Sequence, residues 1–275
     1  MRNSALAGKY EVLKKTIATY QRVAVAFSAG VDSTFLLHAA KEALKGNVVA
    51  ITAKSVLMPA SEGEEAEKYC REQGIRQVVF TPDALSVPGF TENPPNRCYL
   101  CKKNLFAQML SIAEKEGVRT VIEGSNFDDD SDFRPGMKAL TELGIRSPLK
   151  ELAFTKQEIR LLSKALKLPT WEKPAYACLA TRIPYGETID EPKLQMVEKA
   201  ETYLRGLGFD EVRVRVHNTV IARIELNPNE FSRFMRGDVR LEVNQILKGM
   251  GFAYVSLDLQ GYRTGSLNEV LPESL

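Results

Sequence analysis

No apolar run in this 275-residue chain approaches membrane-spanning length, which excludes an apolar spanning helix. The opening Met-Arg-Asn-Ser-Ala-Leu-Ala-Gly lacks the apolar core of a secretory signal, so the expected location is cytoplasmic. Neither charge sign prevails. Lys and Arg number 37 against 35 Asp and Glu, a net +2, which argues against a protein that grips long nucleic acid through its phosphates. Cysteine occurs only four times, too sparsely for a disulfide framework in a cytoplasmic chain of this size. A Cys-x-x-Cys occurs once and has no second copy to complete a four-thiolate zinc site. There is no internal repeat and no low-complexity segment. The chain does have enough residues for one large domain or two modest ones, at 44% apolar and 26% charged residues, the balance of a soluble globular protein.

The first half alternates apolar runs with helical patterns. A helix over 5–20 leads into the run Val23–Phe27, which suits a strand buried on both faces. Helices over 34–44, 62–73, 102–115 and 155–166 then alternate with strands over 47–53, 77–80 and 120–123. Thr155 and Glu158 form a capping box at the start of the last helix. This order predicts a parallel sheet with helices on both faces and a ligand site at the carboxyl ends of its strands, where Ser28, Thr52 and Gly124 fall. After Pro184-Tyr-Gly the period changes. A helix over 191–206, strands over 211–217 and 220–226 with period two, a helix over 229–248 and a strand over 252–259 predict a small α+β domain with one polar sheet face. The expected division is a domain over 1–175 and a second over 187–275, joined by the loop that holds Cys178.

Several groups of residues can carry chemistry. Ser28-Ala29-Gly30-Val31-Asp32-Ser33 sits between a strand and a helix N-terminus. There, free backbone N–H groups and the helix dipole favour an anion. Ser28 and Ser33 add hydroxyl donors, Gly30 admits close approach, and Asp32 is a candidate to hold magnesium against phosphate. Asp128 and Asp129, after Gly124-Ser-Asn, either bind magnesium and position a nucleotide or form a solvated Asx turn. Arg134, beside a Pro-Gly turn, is a candidate for phosphate or carboxylate. Cys98, Cys101 and Cys178 suit a 4Fe–4S cluster with one open iron, a zinc site completed by water or His, a redox pair, or three unligated thiols. Cys70 reads as helix packing. Arg213 and Arg215 share one strand face, as do Arg223 and Glu225 on the next strand. With Arg182 and Arg263 they form either a phosphate site or an exposed face of surface ion pairs. His38 reads as structural, and His217 is given no role.

Ser28–Ser33 resembles the PP-loop of ATP pyrophosphatases and lacks the Gly-Lys-Ser/Thr ending of a Walker A loop. The resemblance implies cleavage of ATP between its α- and β-phosphates. Ala29 stands where that family has glycine, and a left-handed backbone there would cost alanine about 1 kcal/mol.

Five further segments extend the likeness across nearly the whole chain. They are 124–129, 132–136, 177–186 (Ala-Cys-Leu-Ala-Thr-Arg-Ile-Pro-Tyr-Gly), 212–218 and 257–265. Together with the PP-loop they resemble the LarE sulfur transferases of nickel-pincer nucleotide biosynthesis. The resemblance implies a PP-loop ATP pyrophosphatase domain, of the adenine nucleotide alpha hydrolase type, followed by a smaller α+β domain for substrate binding or oligomerisation. It implies adenylation of a carboxylate of pyridinium-3,5-biscarboxylic acid mononucleotide, then conversion to thiocarboxylate. ATP and Mg2+ would meet Ser28, Gly30, Val31, Asp32, Ser33, Gly124, Asp128 and Asp129. Substrate would meet Arg134, Arg182, Arg213, Arg215 and Arg263. Some family members sacrifice one cysteine sulfur, while others carry three cysteines on a 4Fe–4S cluster. Cys98, Cys101 and Cys178 match the second type, which can be replenished by sulfide or a sulfur-donor system. A homo-oligomer is expected. The competing readings are a PP-loop tRNA thiolase and a non-catalytic adenine-nucleotide sensor with structural zinc.

Overall fold

Alternating residues of each buried strand fill two different cores. In the computed structural model, which describes residues 2–131, 135–174, 177–218, 220–263 and 265–271, helix α1 (Arg2–Ala18) precedes strand β1 (Val23–Ala26). Next come α2 (Val31–Leu44), β2 (Val48–Ala53), α3 (Ala60–Glu72), β3 (Arg76–Phe80), α4 (Arg97–Lys115) and β4 (Thr120–Ile122). The strands form one parallel sheet in the order β3-β2-β1-β4. Val23 and Val25 face a core with Leu13, Ile17, Phe35, Leu36 and Phe154. Ala24, between them, faces Phe106, Met109 and Val121 on the other side. Period two therefore splits one strand between two helical layers, as an α/β fold requires.

Strand order reverses at β1, whose neighbours are β2 and β4. The carboxyl ends of β1 and β4 thus flank the point where open α/β sheets bind ligands. After β4 the chain forms α5 (Gly136–Glu142), α6 (Pro148–Glu151) and α7 (Lys156–Ala165). The first two carry no clear periodic pattern in the sequence because each is only one or two turns long.

The second sheet lies downstream of α8 (Glu191–Gly206). β5 (Val212–His217) and β6 (Ile221–Leu226) pair antiparallel, and β7 (Tyr254–Leu257) joins parallel to β6. The single helix expected over 229–248 is instead a 3-10 turn at Pro228–Glu230, α9 (Phe231–Phe234) and α10 (Gly237–Gly249). The break falls at Arg236, whose backbone is extended (φ −56°, ψ 139°) just before Gly237.

The chain divides into two compact units, and neither is contiguous. One comprises Met1–Ser55, Ala60–Ala84 and Cys98–Tyr176; the other comprises Val56–Pro59, Leu85–Arg97 and Ala177–Leu275. The proline-rich segment before Cys98 therefore clusters with the later residues. Its buried Asn93 amide donates to the carbonyls of Ile183 and Pro184 at 3.1 and 2.6 Å. The Arg97 guanidinium stacks 4.2 Å from the Tyr185 ring centre. No helix among the described residues is long and apolar enough to cross a membrane.

Candidate functional site

In the first unit the loop after β1 is closed by its own serines. Ser28 and Ser33 hydroxyls lie 3.2 Å apart, and the Ser33 hydroxyl donates to the Gly30 carbonyl at 3.2 Å. The helix begins at Val31, three residues earlier than its apolar pattern indicates, so Val31, Asp32 and Ser33 form its first turn. Their backbone N–H groups have no acceptors within the helix. Val31 is itself buried in the core. Ala29 is left-handed at φ 54° and buried, so the strain foreseen for alanine is present, while Gly30 has an ordinary φ of −76°. The glycine is therefore not demanded by backbone conformation.

Two lysines absent from the sequence reading hold this loop. Lys173 donates to the Ala29 carbonyl at 3.1 Å and pairs with Glu62 and Glu65 at 2.7 and 2.6 Å. Lys156, the first residue of α7, places its ammonium 2.6 Å from Asp32 Oδ2. Asp32 Oδ1 is buried without a hydrogen-bond partner among the described residues. Burial pushes the Asp32 carboxyl above its usual range, and Lys156 opposes that shift. α7 is fixed at its start by the capping box: Thr155 accepts from the Glu158 N–H, and Glu158 accepts from the Thr155 N–H.

The end of β4 meets the loop closely. A side chain at Gly124 would place its Cβ 3.0 Å from the Ser33 nitrogen. Asp128 and Asp129 lie in an Asx turn, with the Asp128 N–H donating to Asn126 Oδ1 at 2.9 Å and the Asn126 N–H donating to Asp129 Oδ2 at 3.0 Å. The Lys156 N–H then donates to Asp128 Oδ2 at 2.8 Å. One residue thus binds two of the three acidic positions singled out in the sequence, Asp32 and Asp128. Arg134 lies outside the described residues.

Cys98 lies in the first turn of α4 and Cys101 one turn along, because that helix starts at Arg97, earlier than the expected Lys102. Cys98 is exposed and Cys101 partly buried. α5 begins against this turn, with the Cβ position of Gly136 2.7 Å from the Lys102 side chain and 3.4 Å from the Cys98 carbonyl. Cys70 is buried in α3, and burial pushes its thiol up to about 12, consistent with packing. All four cysteines are free of disulfides, and among the described residues no three His, Cys, Asp or Glu side chains gather as a metal site.

In the second unit Arg182, Arg213 and Arg215, read from the sequence as either a phosphate site or an exposed face of ion pairs, are buried, which removes the exposed-face alternative for them. Arg182 forms a two-pronged pair with Glu201 at 2.8 and 2.9 Å, and donates to the carbonyls of Ala177 and Cys178 at 2.8 and 3.2 Å. Burial raises the Glu201 carboxyl, but Arg182, Arg213 and Arg205 outweigh it and hold the group below its usual range. Arg215 pairs with the fully buried Glu225 at 2.7 and 3.0 Å and donates to the Thr181 carbonyl and the Ser266 hydroxyl. Arg213 stacks 5.1 Å from the Tyr262 ring centre. Burial and the nearby Arg182 charge lower its pKa. Arg263 is more exposed and contacts Glu269 at 3.0 Å. The apolar stripe of α8 offered a signal for Glu201, which sits at the same helical spacing as Leu194, Val197 and Leu204.

No family model matches the chain. It is 44% identical over 267 residues to an uncharacterised protein of Synechocystis sp., covering 97% of this chain and 99% of the relative. It is 39% identical over 272 residues to the pyridinium-3,5-bisthiocarboxylic acid mononucleotide synthase of Lactiplantibacillus plantarum, covering 98% of each. A GMP synthase (glutamine-hydrolyzing) of Aeropyrum pernix is 26% identical over 216 residues, covering 71% of this chain and 41% of the relative.

Proposed function

The chain belongs to the LarE sulfur transferase family, and from that premise we propose that it uses ATP to activate a carboxylate of pyridinium-3,5-biscarboxylic acid mononucleotide and converts it to a thiocarboxylate for nickel-pincer nucleotide synthesis. The observation that carries the ATP step is the meeting of two strand ends at the sheet's switch point. There the backbone of Gly124 touches the first turn of α2, with Asp32 and Asp128 joined through Lys156. Ser28, Gly30, Val31 and Ser33 would receive the outer phosphates through backbone N–H groups and hydroxyls. Asp32, together with phosphate oxygens, would hold Mg2+, a hard cation that takes oxygen ligands, with Asp128 and Asp129 positioning the nucleotide. The partnerless buried oxygen of Asp32 supports that fit.

In this reading the substrate carboxylate attacks the α-phosphate and pyrophosphate leaves. The donors of the loop stabilise the charge that collects on the leaving group. Sulfide then displaces AMP from the acyl adenylate. Cys98, Cys101 and Cys178 would hold a 4Fe–4S cluster that supplies sulfide when bound. Support comes from three thiols free of disulfides and at least partly exposed, two of them one helical turn apart. Arg182 shapes the Cys178 turn from within. Arg263, more exposed than Arg182, Arg213 and Arg215, would contact the substrate phosphate, with Arg213 and Arg215 adding positive charge.

The test is pyrophosphate release and thiocarboxylate mass in the presence of the dicarboxylate mononucleotide, compared with unthiolated tRNA. Release with tRNA alone refutes the reading in favour of a tRNA thiolase.

A further inference from the structure

Glu123, the residue after β4, carries a carboxylate that is 6% exposed and has no basic side chain in ion-pair contact among the described residues. Three neutral donors meet it instead. Its Oε2 accepts from the Ser125 N–H at 3.1 Å and from the Ser125 hydroxyl at 2.8 Å, and its Oε1 accepts from the Ser147 hydroxyl. A carboxylate is acceptor-only, so it takes all three at once. Burying one is costly unless its oxygens are met, and here both are.

Sheet geometry puts this side chain and the loop after β1 on opposite faces. The ladder runs one residue past β4: the Arg146 N–H donates to the Val121 carbonyl at 3.1 Å, and the Glu123 N–H donates to the Arg146 carbonyl at 3.0 Å. Val121 faces the layer with Phe106 and Met109, while Ile122 faces the layer with Phe35 and Phe154. Period two then gives Glu123 the first face and Gly124 the second. On the first face the Ser125 hydroxyl also meets Met137 Sδ at 3.6 Å, and on the second Gly124 lies against the first turn of α2. Ser147 is itself fixed, its N–H donating to Glu151 at 3.2 Å while Glu151 forms a two-pronged pair with Arg146 at 2.8 and 2.7 Å. Glu123 thus holds Ser125 from one face, and Gly124, between them, meets Ser33 on the other.

We propose that Glu123 is a positioning residue for the ATP step: its carboxylate clasps Ser125 and Ser147, and the clasp sets how closely Gly124 approaches the first turn of α2. The proposal rests on the ATP reading above and adds to it a residue that acts through Gly124 without meeting the nucleotide. Reach matters in this role and charge does not. Glutamine keeps the reach and an acceptor for the Ser125 N–H, and the Ser147 hydroxyl can turn to accept from its amide. Aspartate keeps the charge but is shorter by one methylene, so it cannot meet both serines from the same backbone.

The experiment measures pyrophosphate release from ATP, with Mg2+ and the dicarboxylate mononucleotide, in Glu123→Ala, Glu123→Gln, Glu123→Asp and Ser147→Ala. Each rate is divided by the fraction of sites that bind a non-cleavable ATP analogue in calorimetry, and thermal melting checks folding. The expected kcat per site falls about 30-fold in Glu123→Ala and Glu123→Asp, with KM for the mononucleotide within about threefold, and Glu123→Gln recovers most of the rate. Ser147→Ala removes one donor and leaves the carboxylate in place, and its kcat should fall about fivefold. That measurement stands if Glu123→Ala does not fold. Faster turnover in Glu123→Asp than in Glu123→Gln assigns a charge role and overturns the proposal. Unchanged kcat per site in Glu123→Ala or, where that variant does not fold, in Ser147→Ala also overturns it, and both results leave the ATP reading intact. Failure of the folded, unaltered protein to release pyrophosphate overturns both.

Discussion

A Cβ atom on Gly124 would lie 3.0 Å from the backbone nitrogen of Ser33, with the Asp32 carbonyl carbon and Ser33 Cα at 3.2 Å. All three neighbours are backbone, so none can rotate away. Gly124→Ala must therefore push the end of β4 from the first turn of α2. It should destabilise the protein by about 1–3 kcal/mol, as overpacking does. Pyrophosphate release should fall further, by roughly 100-fold, since an error near 1 Å in a reacting group has that effect. Thermal melting and a release assay on the same sample separate the two effects.

Ala29→Gly works in the opposite sense. Alanine at φ 54° bears a left-handed penalty that glycine does not. Glycine's greater freedom in the unfolded chain offsets part of the gain. The net expectation is a stabilisation of about 0.5 kcal/mol, seen as a higher denaturant midpoint at unchanged slope. A lower midpoint contradicts the account.

Asp32 links the site to pH. Its folded-state pKa is raised by burial, so the native chain holds this proton where the unfolded chain has lost it. Stability from this group is fully present below the ordinary carboxylate range and is lost as pH rises through the folded value. Asp32→Asn should therefore melt higher than the unaltered protein at pH 7, and the difference should shrink in acid. The same variant should lose pyrophosphate release. A lower melting point at pH 7 would show that the Lys156 pair outweighs the burial cost.

The cysteines divide by burial. Changing Cys98, Cys101 or Cys178 to Ala should remove iron, acid-labile sulfide and sulfur transfer while sparing adenylation. Cys70→Ala should spare all of these and cost about 1 kcal/mol of stability through lost packing. Sulfur transfer by a Cys98 variant, with Cys178 converted to dehydroalanine, would instead make Cys178 a sacrificial donor.

Among the arginines, Arg215→Ala leaves the fully buried Glu225 without its two-pronged partner and should cost about 3–5 kcal/mol. Arg263→Ala removes a more exposed cation and should weaken substrate binding with little change in melting temperature or ATP affinity. A fall in ATP affinity in Arg263→Ala would assign that residue to the nucleotide instead.

The sequence was most readable where local pattern and tertiary environment agree. The run Val23–Ala26 became a central strand, and Thr155 with Glu158 became a capping box, because both depend on neighbours close in the chain. The charged alternation Arg213-Val-Arg215 was less readable. It has the same period whether its polar face meets water or buried carboxylates, and Glu201 and Glu225, which decide the matter, lie 12 and 10 residues away from those arginines. Of the candidate site, the positions of Ser28–Ser33 and Gly124 at strand ends were visible in advance. Lys156 and Lys173 were not, since they reach the loop across 124 and 144 residues of chain. The α4 start at Arg97 is hard to read locally because its first residue is held in part by Tyr185, 88 residues along the chain, as well as by Asn93.

The interleaved units bear on synthesis at the ribosome. Asn93 is fully buried, yet its amide partners at Ile183 and Pro184 are encoded 90 and 91 residues later. At ordinary elongation speeds those partners emerge roughly 5–18 s after Asn93 does. During that interval the segment 85–97 has no completed unit to join, although β1 to β3 have already left the tunnel. All residues of the first unit are made by Tyr176, while Val56–Pro59 and Leu85–Arg97 must wait for the residues from Ala177 onward. A nascent chain halted before residue 177 should be cut by protease within 85–97, and one released at full length should resist.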